Sequence, residues 1–190
     1  MNLSGEKRIL SKRRIGRFSD LILCRRAWCR VADDLIAAMK LLEPQIQQYW
    51  QKANAQLLDR KRGDELLPFG LAGVHMMLAG FAIENLCKGS LVARLSAEEQ
   101  SHVKAGVLPK SMKTHDVLAL VERVGMTISE TEKYLLKRID AAVWRGRYPI
   151  PTFHEKIQPF AQFASDVRRT RALLQRLRTH VSAGTDPTVG

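Results

Sequence analysis

The densest chemistry in this 190-residue chain lies in one short run, Trp144-Arg145-Gly146-Arg147-Tyr148-Pro149-Ile150-Pro151-Thr152-Phe153-His154. Arg145 and Arg147 carry permanent positive charge on a planar fork that matches phosphate oxygens, and His154 is a side chain that can take or give a proton near neutral pH. Pro149 and Pro151 stiffen the backbone between them. Thr152 and Glu155 have capping-box spacing, which places His154 in the first turn of a following helix, where exposed amides and the positive dipole end attract phosphate and favour the neutral imidazole. Pro159 offers a second helix start; residues 153–157 then form a separate turn and the amide argument weakens. The structural use of the same groups is that the two arginines cap carbonyls or pair with carboxylates while His154 stays on the surface.

The elements that must position this run read as helices. No sustained alternation of β-branched residues and no Asn-Gly or Asp-Gly hairpin signal occurs. Ser19 is placed to cap a helix whose stripe is Trp28, Val31, Leu35, Met39 and Leu42, continuing through Ile46, Tyr49, Ala53 and Leu57, with Pro44 predicting a kink or two stacked helices. A polar connection follows over residues 59–65. A second, central helix is expected from about Pro68 to Leu95. Ser96 and Glu99 make a capping box for a short turn, and a loop with Gly106 and Pro109 leads to His115 and Asp116, which open a third helix that Gly125 ends. Ser129 and Glu132 make a second capping box for a fourth helix closed by Gly146. The last helix carries Phe160, Phe163, Val167, Thr170, Leu174, Leu177 and Val181 on one stripe and Arg168, Arg169, Arg171, Arg176 and Arg178 on its other faces. The reading is an all-α, antiparallel four- to five-helix bundle: a basic arm over 1–18, one helical domain over 19–182 and a flexible tail over 183–190.

Composition agrees with one soluble globular domain and excludes disordered, collagenous and multidomain chains: 45% of residues are hydrophobic and 26% charged. Lysine and arginine number 31 against 19 acidic residues, a formal charge of +12, so an anionic partner is the first functional suspicion. The excess sits at the two ends: residues 1–62 hold 14 basic and 6 acidic side chains, residues 131–190 hold 11 and 5, and the middle is slightly acidic. In an antiparallel bundle the first and last helices can merge these into one positive surface. Cys24, Cys29 and Cys87 form no disulfide framework and fit a reducing cytoplasm, and Cys24 and Cys29 read as core packing. The amino terminus lacks a secretory signal pattern. The uncharged stretch from Leu66 to Ile83 is too short to span a bilayer once Pro68 starts the helix, so it reads as a buried core helix, with His75 hydrogen-bonded inside it. Met76, Met77 and Met126 read as packing, and Trp28, Trp50 and Trp144 are too scattered for a stacking platform. No glycine-rich phosphate loop, Ser-His-Asp pattern, metal site or cofactor motif stands out.

Three blocks carry a family resemblance: Gly80-Phe81-Ala82-Ile83-Glu84-Asn85-Leu86-Cys87-Lys88-Gly89, then Lys113-Thr114-His115-Asp116-Val117-Leu118-Ala119-Leu120, then Arg145-Gly146-Arg147-Tyr148-Pro149. In this order, over about residues 70–155, the chain resembles the HEPN superfamily of small helical-bundle proteins found beside nucleotidyltransferases, in toxin and antitoxin pairs and in RNA-cutting defence enzymes. The resemblance implies a homodimer whose Arg147 and His154, with six residues between them, act on RNA, with Arg145 and the Glu84-x-x-x-Lys88 element in support. Pro149 and Pro151 depart from the pattern of cutting members, and the Arg-Tyr-Pro run looks more like members not known to cut. On the residues alone, Glu84 and Lys88 are an i, i+4 ion pair, and His115 and Asp116 can orient each other, although Asp116 suits a helix start. The functional expectation is a metal-independent endoribonuclease without cofactor. The alternative is a non-catalytic module binding RNA or nucleotide, or docking on a nucleotidyltransferase-like or antitoxin partner, with Arg168, Arg171 and Arg176 as nucleic-acid contacts; a third is a purely structural dimer built on the last helix.

Overall fold

A computed structural model describes residues 14–59, 70–147 and 163–183. Among the described residues the regular structure is helical throughout: α1 over 14–23, α2 Arg25–Asp59, α3 Gly70–Val92, α4 Ala97–Lys104, a 3₁₀ turn Lys110–Met112, α5 Val117–Arg123, α6 Glu130–Arg147 and α7 Asp166–Ala183. These are seven α-helices where four to five were expected. The surplus comes from the two short outer elements, α1 and α4, while α2, α3, α5, α6 and α7 share the main core.

Helix α3 is central because it has no polar side to show. Thirteen of its 23 residues are buried, and it packs against α2, α5, α6 and α7. Length and composition would let it cross a membrane, but half of its most apolar window lies inside the bundle, where His75, Glu84 and Lys88 are also buried. The core around it joins Ala32 and Met39 of α2, Val117, Leu120 and Val121 of α5, Leu135, Leu136 and Ile139 of α6, and Leu173, Leu174, Leu177 and Val181 of α7. A smaller cluster of Leu95, Val103 and Met112 is covered by Phe18, Ile22, Leu23 and Trp28.

Local signals account for most helix ends. Ser96 and Glu99 form the reciprocal capping box of α4, with Glu99 N–H on Ser96 Oγ at 3.1 Å and Ser96 N–H on Glu99 Oε2 at 3.0 Å. These bonds and one from the Ser111 hydroxyl hold the Glu99 carboxyl below its ordinary pKa. Ser129 and Glu132 repeat the arrangement before α6. The Asp116 carboxylate accepts from Ala119 N–H at 2.9 Å, and Gly125, at φ +79°, turns the chain after α5 in the left-handed region that other residues avoid.

Several expectations are corrected. Ser19 does not cap: the chain is already helical from residue 14, the Ser19 hydroxyl donates to Gly16 O within α1, and the break falls at Cys24. Residues 14–18 therefore belong to a packed helix rather than to the arm. Pro44 neither splits α2 nor ends it, because Ala32, Met39 and Ile46, seven apart, keep one continuous buried edge; Val31 lies off that edge and is exposed. Cys24 is exposed at the break, so it is not core packing. Helix α3 stops at Val92 rather than Leu95. Gly146 does not close α6; it lies within the helix, where a Cβ would collide with Met77, so its role is close approach of α6 to α3. Helix α7 starts at Asp166, leaving Phe163 outside it, and Ala183 is helical rather than tail. The connection after Asp59, the start of the second helix at Pro68, the Thr152 and Pro159 alternatives and Phe160 lie outside the described residues.

Candidate acid-base and phosphate site

The backbone of α6 reaches Arg147. The side chains of Arg145 and Arg147, and all of His154, lie outside the described residues. What is placed is the end of the helix that carries the arginines. Gly146 faces Met77, and Gly80 lies against Val143 and Ile139, so α6 runs antiparallel to α3 and its last turn lies beside the first half of α3. Glu84 is seven residues beyond Met77, or about 10 Å further along the axis.

At that level the structure joins the first two resembling blocks. Glu84 Oε1 accepts from Lys88 Nζ at 2.8 Å and lies 2.9 Å from Nδ1 of His115, a residue 31 positions away at the start of α5. Helical geometry sets the first contact, since i and i+4 share a face. The second arises because Asp116 spends its carboxylate on the cap of α5, leaving the His115 ring to turn inward toward α3. Asp116 thus takes the helix-start role that its position suits, and the orienting partner of His115 is Glu84. The Glu84 and Lys88 side chains are 10% and 4% exposed, whereas His115 is 53% exposed, so an ion pair in the interior holds an imidazole at the surface. With Oε1 receiving the ammonium proton, the imidazole nitrogen facing it donates as well, and Nε2 is left on the outer edge of the ring. A buried carboxylate orienting a reachable imidazole is the arrangement of general acid-base catalysis.

A second histidine gives the opposite picture. His75 is 1% exposed, and its Nε2, 3.8 Å from Glu43 Oε1, has no hydrogen-bond partner. It is the buried core histidine that was expected, although 3.8 Å is too long for a hydrogen bond from Nε2 to Glu43. Burial drives its pKa below the ordinary 6.5 in spite of the Glu43 charge. Its surroundings are Glu43 of α2, which pairs with Arg171, and Asp166 of α7, which accepts from Arg138 and from Phe163 N–H at 2.8 Å. Thr170 Oγ1 is also buried without a partner. Cys87, buried beside Glu84, is pushed up to about 12, chiefly by desolvation, and is no nucleophile.

The α7 arginines are exposed as expected, yet three are engaged. Arg171 pairs with Glu43 of α2. Arg176 pairs with Glu132 and donates to Thr127 O at 3.1 Å, while Arg178 meets Asp33 at 2.7 Å. These contacts tie α7 to α2 and to the start of α6. Arg168 is exposed. Arg176 also lines a groove of about 440 Å³ with Gly125, Met126, Thr127, Gln175, Thr179 and His180. Sequence reading missed the inward turn of His115 and the Glu43–His75 approach, because each depends on residues 31 or more positions apart. No group of three or more His, Cys, Asp or Glu side chains suited to a metal occurs among the described residues. Comparison with protein-family models, curated proteins and solved structures finds no match.

Proposed function

We propose that this chain is a HEPN-like, RNA-acting helical protein of the cytoplasm that cuts RNA without a metal, working as a homodimer. The observation that carries the reading is the His115–Glu84–Lys88 cluster: two sequence blocks that resemble the same family meet in space as an oriented acid-base group, on a chain of charge +12. In the proposed reaction His154 takes the proton of a ribose 2′-hydroxyl. That oxygen attacks phosphorus, Arg147 with Arg145 stabilises the charge on the non-bridging oxygens, and the 5′-oxygen leaves. The departing oxygen needs a proton, and His115, held with Nε2 outward, is assigned to return it. The levels of α3 that face Gly146 and His115 are about 10 Å apart along the helix axis.

The products are a 2′,3′-cyclic phosphate and a 5′-hydroxyl. Incubation of RNA with the purified chain in chelator tests this by end-group analysis. Cutting with those ends, lost in His154→Ala and Arg147→Ala, is expected; loss of cutting in chelator, or undiminished cutting by His154→Ala, contradicts it. Pro149 and Pro151 favour the second reading, a module that binds RNA or nucleotide, or docks on a nucleotidyltransferase-like or antitoxin partner, without cutting. That reading predicts salt-sensitive binding with intact RNA recovered, weakened most by charge removal at Arg168, since Arg171 and Arg176 are shared with carboxylates.

A further inference from the structure

We infer that the outer face of α6 is a stacking platform for unpaired RNA, an inference that rests on the RNA-acting reading and names its substrate class. Tyr134, Lys137, Ala141 and Trp144, at spacings of three and four, share one side of α6, while Leu135, Leu136, Ile139, Ala142 and Val143 fill the side turned to the core. Tyr134 is 52% and Trp144 49% exposed. A third ring joins them from the residue positions just before α7: Phe163, 45% exposed, stands with Tyr134 about the Arg138 guanidinium, whose Cζ lies 4.5 Å from the Phe163 ring centroid and 5.5 Å from that of Tyr134. Asp166 fixes the assembly, because it accepts from both Arg138 and Phe163 N–H.

Three half-exposed rings thus share a surface with the exposed Lys137, while Arg138 beneath two of them is buried and paired with Asp166. From Tyr134 to Trp144 the helix rises about 15 Å, room for a few successive bases, with Lys137 between the two rings. Aromatic rings with an exposed lysine between them suit a strand whose bases offer flat faces and whose phosphates carry charge. In duplex RNA those faces are stacked and hidden, so the surface favours unpaired RNA. Two acids adjoin the stripe: Glu130, held by Lys133, lies one turn before Tyr134, and Asp140, half-buried, lies three residues after Lys137.

The test is a fluorescence titration of the full chain with a short 2′-O-methyl oligo-uridine, which cannot be cut, and with its duplex on oligo-adenosine, at fixed salt. Expected are preference for the single strand, a loss of at least about tenfold in Tyr134→Ala, Trp144→Ala, and binding within about threefold of wild type in Tyr134→Phe, Trp144→Phe, which keeps the rings. Thermal melts verify that the variants fold. Equal binding by the double alanine variant overturns the platform while RNA binding itself stands. So does equal loss of duplex binding, or self-association in sedimentation that the alanines abolish. Wild-type chain that binds neither RNA removes the RNA-acting reading and the platform with it.

Discussion

Two histidines of this bundle each face a glutamate, and the contrast between them separates chemistry from architecture. His115 lies 2.9 Å from Glu84 and is half in solvent; His75 lies 3.8 Å from Glu43 and is sealed between α2, α3 and α7. In the first pair the charge is inside and the proton carrier outside, so a substrate can use the ring. In the second the ring is inside, with its Nε2 unbonded, and nothing from solvent can use it. A buried ring nitrogen without a hydrogen-bond partner costs stability and returns no reactivity.

The largest break in this comparison should come from the Glu84 end. Removing the carboxylate leaves the Lys88 ammonium buried, so Glu84→Ala is expected to lower the unfolding free energy by about 3–5 kcal/mol in denaturant titration. Replacing both partners with apolar residues, Glu84→Leu with Lys88→Met, is expected to recover most of that loss while leaving His115 unsupported. An equally damaging double variant would show that the pair is not held by mutual compensation.

Next in size is Gly80, which lies between the two clusters on α3. A Cβ there meets Val143 and Ile139 of α6, both stiff at χ1, and Gly80→Ala is expected to cost about 1–3 kcal/mol. At Gly146 the obstacle is the flexible end of Met77, so Gly146→Ala should cost less. Equal costs would mean that α6 shifts as a whole rather than yielding side chain by side chain.

Smaller still is a pH effect at His75. Its folded-state pKa is depressed below the unfolded 6.5. Above 6.5 both states are neutral. As pH falls from there toward the folded pKa, the unfolded chain binds a proton that the folded chain refuses, so stability declines with a slope of at most about 1.4 kcal/mol per pH unit. His75→Gln should flatten that part of the pH profile. A profile unchanged by the substitution would mean that His75 binds its proton equally well in the folded and unfolded chain, and a steeper decline after substitution would mean that it is held charged beside Glu43.

What the sequence reveals depends on distance along the chain. The caps at Ser96, Asp116 and Ser129, the turn at Gly125 and the buried stripe from Thr170 to Val181 are set within a few residues, and all are legible. Gly146 is misread because a glycine near a helix end looks the same whether it stops the helix or lets another one approach; only Met77 distinguishes the two. At Pro44 the two-helix alternative fails because the packing of Met39 and Ile46 holds the helix together where local propensity disfavours it. Of the candidate site, the Glu84–Lys88 pair is legible from its spacing, whereas its burial and its contact with His115 are not, since both depend on where α5 docks. The stripe of rings on α6 escapes notice because Trp144 shares its face with Tyr134 rather than with the other tryptophans, and Phe163 reaches Tyr134 only through Arg138.

The measurement that tests the central claim most directly is the single-turnover rate of RNA cutting in chelator, per folded molecule, for wild type, His115→Asn and His75→Asn. The account predicts that the wild type cuts, that His115→Asn slows cutting by roughly a hundredfold or more with its melting temperature nearly unchanged, and that His75→Asn cuts at the wild-type rate. Equal rates for His115→Asn and wild type, or RNA left intact by all three proteins, would contradict it.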